Sequence, residues 1–173
     1  TFYFATMSAL EITFLGTGTS VGVPMIGCDC PTCRSTDPRD KRSRSSIYVS
    51  APDCAFVVDT GPDFRMQCLR ENIRRVDAVL FTHEHADHTH GIDDLRILCY
   101  RARRRIDVYF DAACGAILQQ RFDYCFSTPE GSAYPPIVKA HTIAPGQLLT
   151  IDGPGGAIDV MPFRQHHGDI DSL

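Results

Sequence analysis

Hydrophobic and polar positions along this chain switch between two periods, and the switches outline its elements. Leu10-Glu11-Ile12-Thr13-Phe14-Leu15 alternates residue by residue, as a strand with one buried face does, and runs into the turn Gly16-Thr17-Gly18-Thr19-Ser20. Residues 46–50 and 55–59 repeat that alternation on either side of Pro52-Asp53 and predict a hairpin. Phe64, Cys68, Leu69 and Ile73 then recur at helical spacing, with Pro62 in a helix-opening position. Residues 76–82 form an apolar run that reads as a buried strand. A helix is expected over 92–102, a strand over 106–110, and a helix over 112–126 with Ile117, Leu118, Phe122 and Phe126 turned inward. Short strands are expected near 137–143, 147–151 and 157–163. Residues 20–45 break the pattern as a long loop rich in Gly, Pro, Cys and charge. Loops of that length are functional or are tied down by something besides their own backbone.

Alternating strands and helices predict mixed sheets covered by helices, an α/β or α+β sandwich. Ligands of such folds gather at the carboxyl ends of strands. At 173 residues the chain fits one domain. That domain is read over residues 7–173, with residues 1–6 an extension outside the native fold because Met7 resembles a natural start. The composition, 43% hydrophobic and 22% charged, is that of an ordinary soluble globular protein. A net charge of −4 argues against nucleic-acid binding by bulk electrostatics. No apolar run approaches the roughly 20 residues that span a bilayer, so no membrane partner is expected. The amino terminus lacks a basic start and a small-residue cleavage site, which favours the cytoplasm. Five of the eight cysteines (Cys54, Cys68, Cys99, Cys114 and Cys125) are scattered through apolar segments, as reduced, buried thiols are.

The candidate chemistry begins where the strand at 76–82 ends, at His83-Glu84-His85-Ala86-Asp87-His88. Imidazole and carboxylate donors together suit zinc, manganese or iron. His83 and His85, two apart on an extended loop, can face one ion, while Asp87 and His88 sit where the next helix begins and can face a second. Two clustered ions generate hydroxide at neutral pH and clamp an oxyanion. A polar, solvated turn is the plainer reading, and four donors in six residues at a strand end are too specific for it. A second candidate is Cys28-Asp29-Cys30-Pro31-Thr32-Cys33, three thiolates able to fill three corners of a structural zinc site, against the alternative of three unliganded thiols.

Near the carboxyl end another apolar run leads into His166-His167-Gly168, placing histidine where it can close the metal site from the opposite side. His167 is favoured because Gly168 lets backbone and metal approach. Asp59, at the end of Phe56-Val57-Val58, is expected to orient ligands or loop amides rather than bind metal, with a strand-terminating turn as the alternative. His90, Asp94 and Arg96 lie just beyond the histidine cluster and are weak candidates for substrate contact. Helix capping and surface pairing explain them too. Arg101-Ala102-Arg103-Arg104-Arg105 could meet phosphates, although a solvated helix end also accounts for it. His141 reads as structural.

His83-x-His85-x-Asp87-His88 after a hydrophobic strand resembles the signature of the metallo-β-lactamase superfamily of hydrolases. Leu15-Gly16-Thr17-Gly18-Thr19-Ser20, the three-cysteine loop, Asp59-Thr60-Gly61-Pro62-Asp63-Phe64-Arg65, Gly91-Ile92-Asp93-Asp94-Leu95-Arg96 and Arg121-Phe122-Asp123-Tyr124 resemble one branch of it. That branch includes the phosphoribosyl cyclic phosphodiesterases and, more distantly, pyrroloquinoline quinone biosynthesis protein B. The resemblance covers residues 9–173. It implies an αβ/βα sandwich with a two-metal site on one edge. His83, His85 and His167 would match one metal's ligands, Asp87 and His88 the other's, and Cys28, Cys30 and Cys33 a structural zinc. The family's bridging Asp, its final His and the fourth structural-zinc ligand match no residue here, so the carboxyl-terminal part of the sandwich is expected to be missing.

The implied cofactors are two divalent ions, zinc or manganese, and one structural zinc. The implied activity is hydrolysis of a small cyclic phosphate or nucleotide-like phosphodiester by metal-bound hydroxide, with Asp87 catalytic. The alternatives are an RNA-processing nuclease, for which no RNA-binding arm is visible, a thioester or lactone hydrolase, and a non-catalytic cofactor-biosynthesis accessory protein. The expected partner is a small phosphate-ester substrate, and a homodimer is left open.

Overall fold

The computed structural model describes residues 10–173. The expected strands build one six-stranded sheet: β1 (Glu11–Gly16), β2 (Ser46–Ala51), β3 (Cys54–Val58), β4 (Ala78–Leu80), β5 (Ile106–Phe110) and β6 (Val138–Thr142), adjacent in that order. β1, β2 and β3 pair antiparallel, and β3 to β6 run parallel. Each parallel step needs a crossover, supplied in turn by α2 (Phe64–Arg70), α4 (Leu95–Ala102) and the pair α5 (Ala112–Arg121) and α6 (Asp123–Phe126). Two one-turn helices, α1 (Pro31–Arg34) and α3 (Ala86–Thr89), lie in the cysteine loop and the histidine segment.

The period of two divides the sheet into two faces. Leu15, Val57, Val79 and Val108 face the helices and pack with Phe64, Ile92, Leu95, Leu118 and other fully buried side chains. Val49, Phe56, Ala78 and Leu80 point the other way, onto the hairpin of β7 (Leu149–Asp152) and β8 (Ala157–Val160) through Ile151, Leu149, Ile158 and Val160. That hairpin covers only the middle strands. Ile12 and Phe14, on the same face at the β1 edge, are 54% and 67% exposed.

Several boundaries differ from those the periodicity predicts. The strand expected over 76–82 pairs fully only at Ala78–Leu80, with single backbone bonds from Asp77 N to Ala55 O and from Phe81 N to Tyr109 O at its two ends. The helix expected over 92–102 opens with a 3-10 turn, Ile92–Asp94, before α4. The helix expected over 112–126 breaks at Phe122, whose φ of −128° leaves the helical region and separates α5 from α6. The strand expected over 157–163 stops at Val160, two residues before Pro162, which has no N–H for a ladder. The long loop is tied down by α1, by a 3-10 turn at Pro38–Asp40, and by bridges that pair Gly18 with Arg44 and Val23 with Arg42.

Asp77 is the sharpest buried-charge problem in the fold. At 2% exposure it accepts hydrogen bonds from Ala55 N at 2.9 Å and Arg104 Nη2 at 2.7 Å, with Arg75 Nε at 3.1 Å. Removing the carboxylate leaves an amide and two guanidinium groups without their acceptor. Asp77→Ala is therefore expected to lower stability by about 2–3 kcal/mol, under the 3–5 kcal/mol of a fully enclosed pair because both arginines reach solvent. Urea unfolding followed by circular dichroism measures this, and a change under 1 kcal/mol would contradict the assigned role.

Candidate metal centre

The parallel strands end at one rim, and the polar segments beyond them meet there. After β3, Asp59 takes a left-handed conformation with φ of 62° and is 4% exposed. Its Oδ1 accepts from Thr82 N at 2.8 Å, and its Oδ2 accepts from Thr82 Oγ1 at 2.7 Å and His88 Nδ1 at 2.7 Å. One carboxylate thus joins the end of β3 to the segment after β4 and to α3. The two segments also share backbone bonds, Thr60 N to His88 O and Gly91 N to Thr60 O. Gly61 permits this approach, since a Cβ there would lie 2.1 Å from Asp87 O.

Those bonds decide which nitrogens stay free. The Thr82 hydroxyl donates to Asp59, so it accepts from His83 Nδ1, 2.9 Å away. His83 Nε2 is then the lone-pair nitrogen, and it is buried with no hydrogen-bond partner among the described residues. Such a group is costly unless something electrophilic occupies its other side. Burial, reinforced by His88, pushes the His83 pKa down to about 4, which keeps the ring neutral and able to ligate. His88 donates through Nδ1 to Asp59, leaving its Nε2 facing Asp87 Oδ2 at 3.3 Å. Burial lowers the His88 pKa, but the hydrogen bond and charge of Asp59 outweigh it and raise the pKa overall.

His167 arrives from the far end of the chain. It ends β9 (Gln165–His167), which turns at Gly168 with φ of 61° into β10 (Ile170–Ser172). Leu173 N donates to Thr82 O at 3.0 Å and holds this hairpin beside the histidine segment. One ligand atom from each of His83, His85 and His167 lies within 4.8 Å of the others. His83 is the buried member, and His85 and His167 are exposed. The His83 and His88 rings are 4.2 Å apart by centroid, so the His88–Asp87 pair adjoins the three-histidine group. An inward-facing lone pair, three convergent imidazoles and a neighbouring imidazole–carboxylate pair fit divalent metal of the zinc type.

The structure separates the other candidates. His166 is 95% exposed in its side chain and pairs with Asp171, so His167 is the one brought to the cluster. His90 packs its ring edge on Phe122 at 5.3 Å. Asp94 and Arg96 line a groove between α2 and α4, and neither hydrogen-bonds to the histidine group. His141 bonds Asp107 at 2.6 Å and stacks on Tyr109, in keeping with a structural role. Cys28, Cys30 and Cys33 also converge within 4.8 Å, as free thiols. Cys30 caps α1 by accepting from Cys33 N at 3.5 Å, and Met25 N donates to Cys33 Sγ at 3.4 Å. The Cys33 amide, with the Cys28 and Cys33 thiols, lowers the pKa of Cys30. In contrast, burial pushes Cys68 and Cys114 up to about 12 and Cys125 up to about 11, as inert thiols require.

Two contributors have no role in the sequence reading. Thr82 was visible only as a polar residue ending an apolar run, although a hydroxyl next to a ligand-type histidine is a usable signal. Arg121, read in the sequence only as part of a branch motif, donates to Glu84 O at 2.6 Å from α5 and holds the backbone between His83 and His85.

The architecture is thus a mixed sheet with metal-type donors gathered beyond its parallel strand ends. The family model for the beta-lactamase superfamily domain matches residues 55–172. The chain belongs to the metallo-β-lactamase superfamily, and its neighbours lie in the branch expected. It is 38% identical to an octanoyltransferase of Porphyromonas gingivalis over 162 residues, 92% of this chain and 31% of that protein. It is 27% identical to a ribonuclease Z of a Bradyrhizobium species over 165 residues, 94% of this chain and 48% of that protein. A crystal structure of a diphosphatase from the PhnP family superposes with a TM-score of 0.79 at 34% identity, covering 95% of this chain and 61% of that one. Zinc-bound PqqB from Methylobacterium extorquens shares the fold, with a TM-score of 0.66 at 24% identity over 88% of this chain and 51% of that one. The chain thus spans from 31% to 61% of the length of these relatives.

Thr82→Val keeps the shape of the side chain and removes the hydroxyl that fixes the His83 tautomer. Zinc affinity, measured by competition with a chromophoric chelator, is expected to fall about tenfold, and Asp59→Asn, which disturbs both tautomers, by about 10- to 100-fold. Unchanged affinity in both variants would refute the role given to Asp59. Cys33→Ser should separately remove one zinc per chain from the stoichiometry while sparing the histidine site, as elemental analysis will show.

Proposed function

We propose that this domain belongs to a dinuclear metal-dependent phosphodiesterase acting on a small cyclic phosphate or nucleotide-like ester. The observation that carries the reading is the pair of adjoining donor sets, His83, His85 and His167 beside Asp87 and His88. Two divalent ions, zinc or manganese, would supply water acidified toward neutrality and positive charge for the phosphoryl oxygens. His83, His85 and His167 would hold one ion, and Asp87 and His88 the other. Asp59 acts from behind, fixing Thr82 and His88 so that each lone pair faces the rim. Arg121 holds the peptide between His83 and His85, so the imidazoles need not be ordered when substrate arrives. Cys28, Cys30 and Cys33 would hold a structural zinc that pins the long loop. His90, Asp94 and Arg96 stay outside this reading, because none of them reaches the histidine group. The reduced thiols suit a cytoplasmic setting.

A second reading has one observation in its favour. A relative 38% identical to this chain carries the name octanoyltransferase, a protein of acyl chemistry, and the same donors could serve a thioester.

The deciding experiment is turnover by the zinc- or manganese-loaded protein of a cyclic ribosyl phosphate, a 2′,3′-cyclic nucleotide, a chromogenic phosphodiester, an octanoyl thioester and precursor transfer RNA. The first three are expected to react. Asp87→Ala should reduce that turnover at least about a hundredfold while far-ultraviolet circular dichroism stays unchanged. Turnover of the thioester alone, or phosphodiester turnover that survives Asp87→Ala, would overturn the proposal.

A further inference from the structure

The groove between α2 and α4 takes no part in the reading above. It has a volume of about 790 Å³ and lies on the helix-covered side of the sheet, where Asp94 and Arg96 were found. Its floor and lips are apolar and open to solvent, with Leu69 60%, Ile97 61% and Tyr100 45% exposed, and Met66 beside them on α2 62% exposed. Large apolar side chains clustered in this way on a surface mark a contact site.

The charge around the groove is unlike that of the rest of the chain. The whole chain carries −4, yet the charged side chains that line the groove are Arg65, Arg74, Arg96 and Arg101 against Asp93 and Asp94. Arg104 and Arg75 are engaged by Asp77, Arg70 by Glu71 and Arg96 by Asp93. Arg65, Arg74, Arg101, Arg103 and Arg105 form no salt bridge among the described residues. Within the groove, Arg96 Nη2 is held by Asp93 at 2.7 Å, while Arg96 Nη1 is shielded from water and has no acceptor among the described residues. An apolar channel edged by unneutralised guanidinium groups, with a donor lacking its acceptor, matches one kind of occupant.

We propose that the α2–α4 groove docks an acidic amphipathic helix of a partner protein. Helix-in-groove recognition uses apolar anchors at i, i+3 or i+4 and i+7, which the strip formed by Leu69, Ile97 and Tyr100 receives. α2 and α4 have seven and eight residues, about two turns each, so the groove accepts two to three turns of such a helix. Carboxylates flanking the anchors would meet Arg65, Arg74 and Arg101. The apolar floor distinguishes this site from a nucleic-acid track, in which a charged backbone is followed by polar and stacking groups. The proposal does not depend on the hydrolase reading.

The test uses the whole protein and a fluorescein-labelled amphipathic peptide of roughly 16 residues, with leucine on one face and glutamate on the other, followed by anisotropy. Micromolar binding that weakens with added salt is expected. The same peptide with lysine for glutamate should bind at least about tenfold more weakly. Ile97→Asp and Arg101→Glu should each cost about tenfold in affinity, and because both side chains reach solvent the variants should fold as the parent does. Equal binding of the acidic and basic peptides, stronger binding by an oligothymidylate, or retained peptide affinity in both variants would each overturn the proposal. Self-association abolished by Ile97→Asp, with no peptide binding, would assign the groove to a second copy and overturn it as well.

Discussion

Asp59 joins the end of β3 to the segment after β4 and to the histidine helix α3. A carboxylate at 4% exposure is tolerable only when its charge is matched by donors, and here the donors are Thr82 N, Thr82 Oγ1 and His88 Nδ1. The consequence runs outward from that requirement. Satisfying Asp59 fixes the direction of the Thr82 hydroxyl, which fixes the tautomer of His83, which leaves His83 Nε2 facing the cluster. The same carboxylate turns His88 so that its second nitrogen meets Asp87. A buried negative charge therefore sets the aim of two imidazoles it does not itself compete with. The positive φ of Asp59 is part of this arrangement, since the left-handed turn brings the side chain back toward the end of β4.

The sheet makes that arrangement possible. Because β3, β4 and β5 are parallel and adjacent, the segments after β3 and β4 leave the sheet at the same rim. Close backbone contact there requires a residue without a side chain, and Gly61 meets the Asp87 carbonyl where a Cβ could not fit. His167 joins from β9, more than eighty residues away in sequence, through the bond from Leu173 to Thr82. The metal-type cluster is thus a product of strand order and of one late hairpin, while the cysteine cluster is local and needs only the bends of its own loop.

How far the sequence could be read depended on how local each feature is. The alternation of β1, β2 and β3 and the helical spacing in α2, α4 and α5 were legible, because each is set by which side chains must avoid water. Strand ends were less so. Arg75, two residues before Asp77, is a visible partner for it, whereas Arg104 meets it only through the fold. The break at Phe122 was hidden. Leu118, Phe122 and Cys125 stand at the i, i+4, i+7 spacing of one helix face, so the local pattern is that of a continuous helix and does not announce the break. At the site, the donors His83, His85, Asp87 and His88 were visible as a cluster and Arg121 as part of a motif, whereas the Thr82 hydroxyl and the contact of Arg121 with the Glu84 carbonyl carry no signature of their own. Asp94 and Arg96, adjacent in sequence to the cluster, prove to belong to a different surface, because the 3-10 turn at Ile92–Asp94 carries the chain round to the helix side.

By itself the sequence determined the kinds of donor, their close spacing beyond an apolar strand and the alternation that makes a mixed sheet. All of these follow from side-chain chemistry and from periods of two and 3.6, which need no partner to be expressed. The tertiary structure alone decided that Asp59 sets two tautomers and that Arg65, Arg96 and Arg101 border one apolar groove. Each of those depends on a contact between segments remote in sequence. Their encounter is fixed by which faces the whole chain can bury at once, and no single segment holds that information.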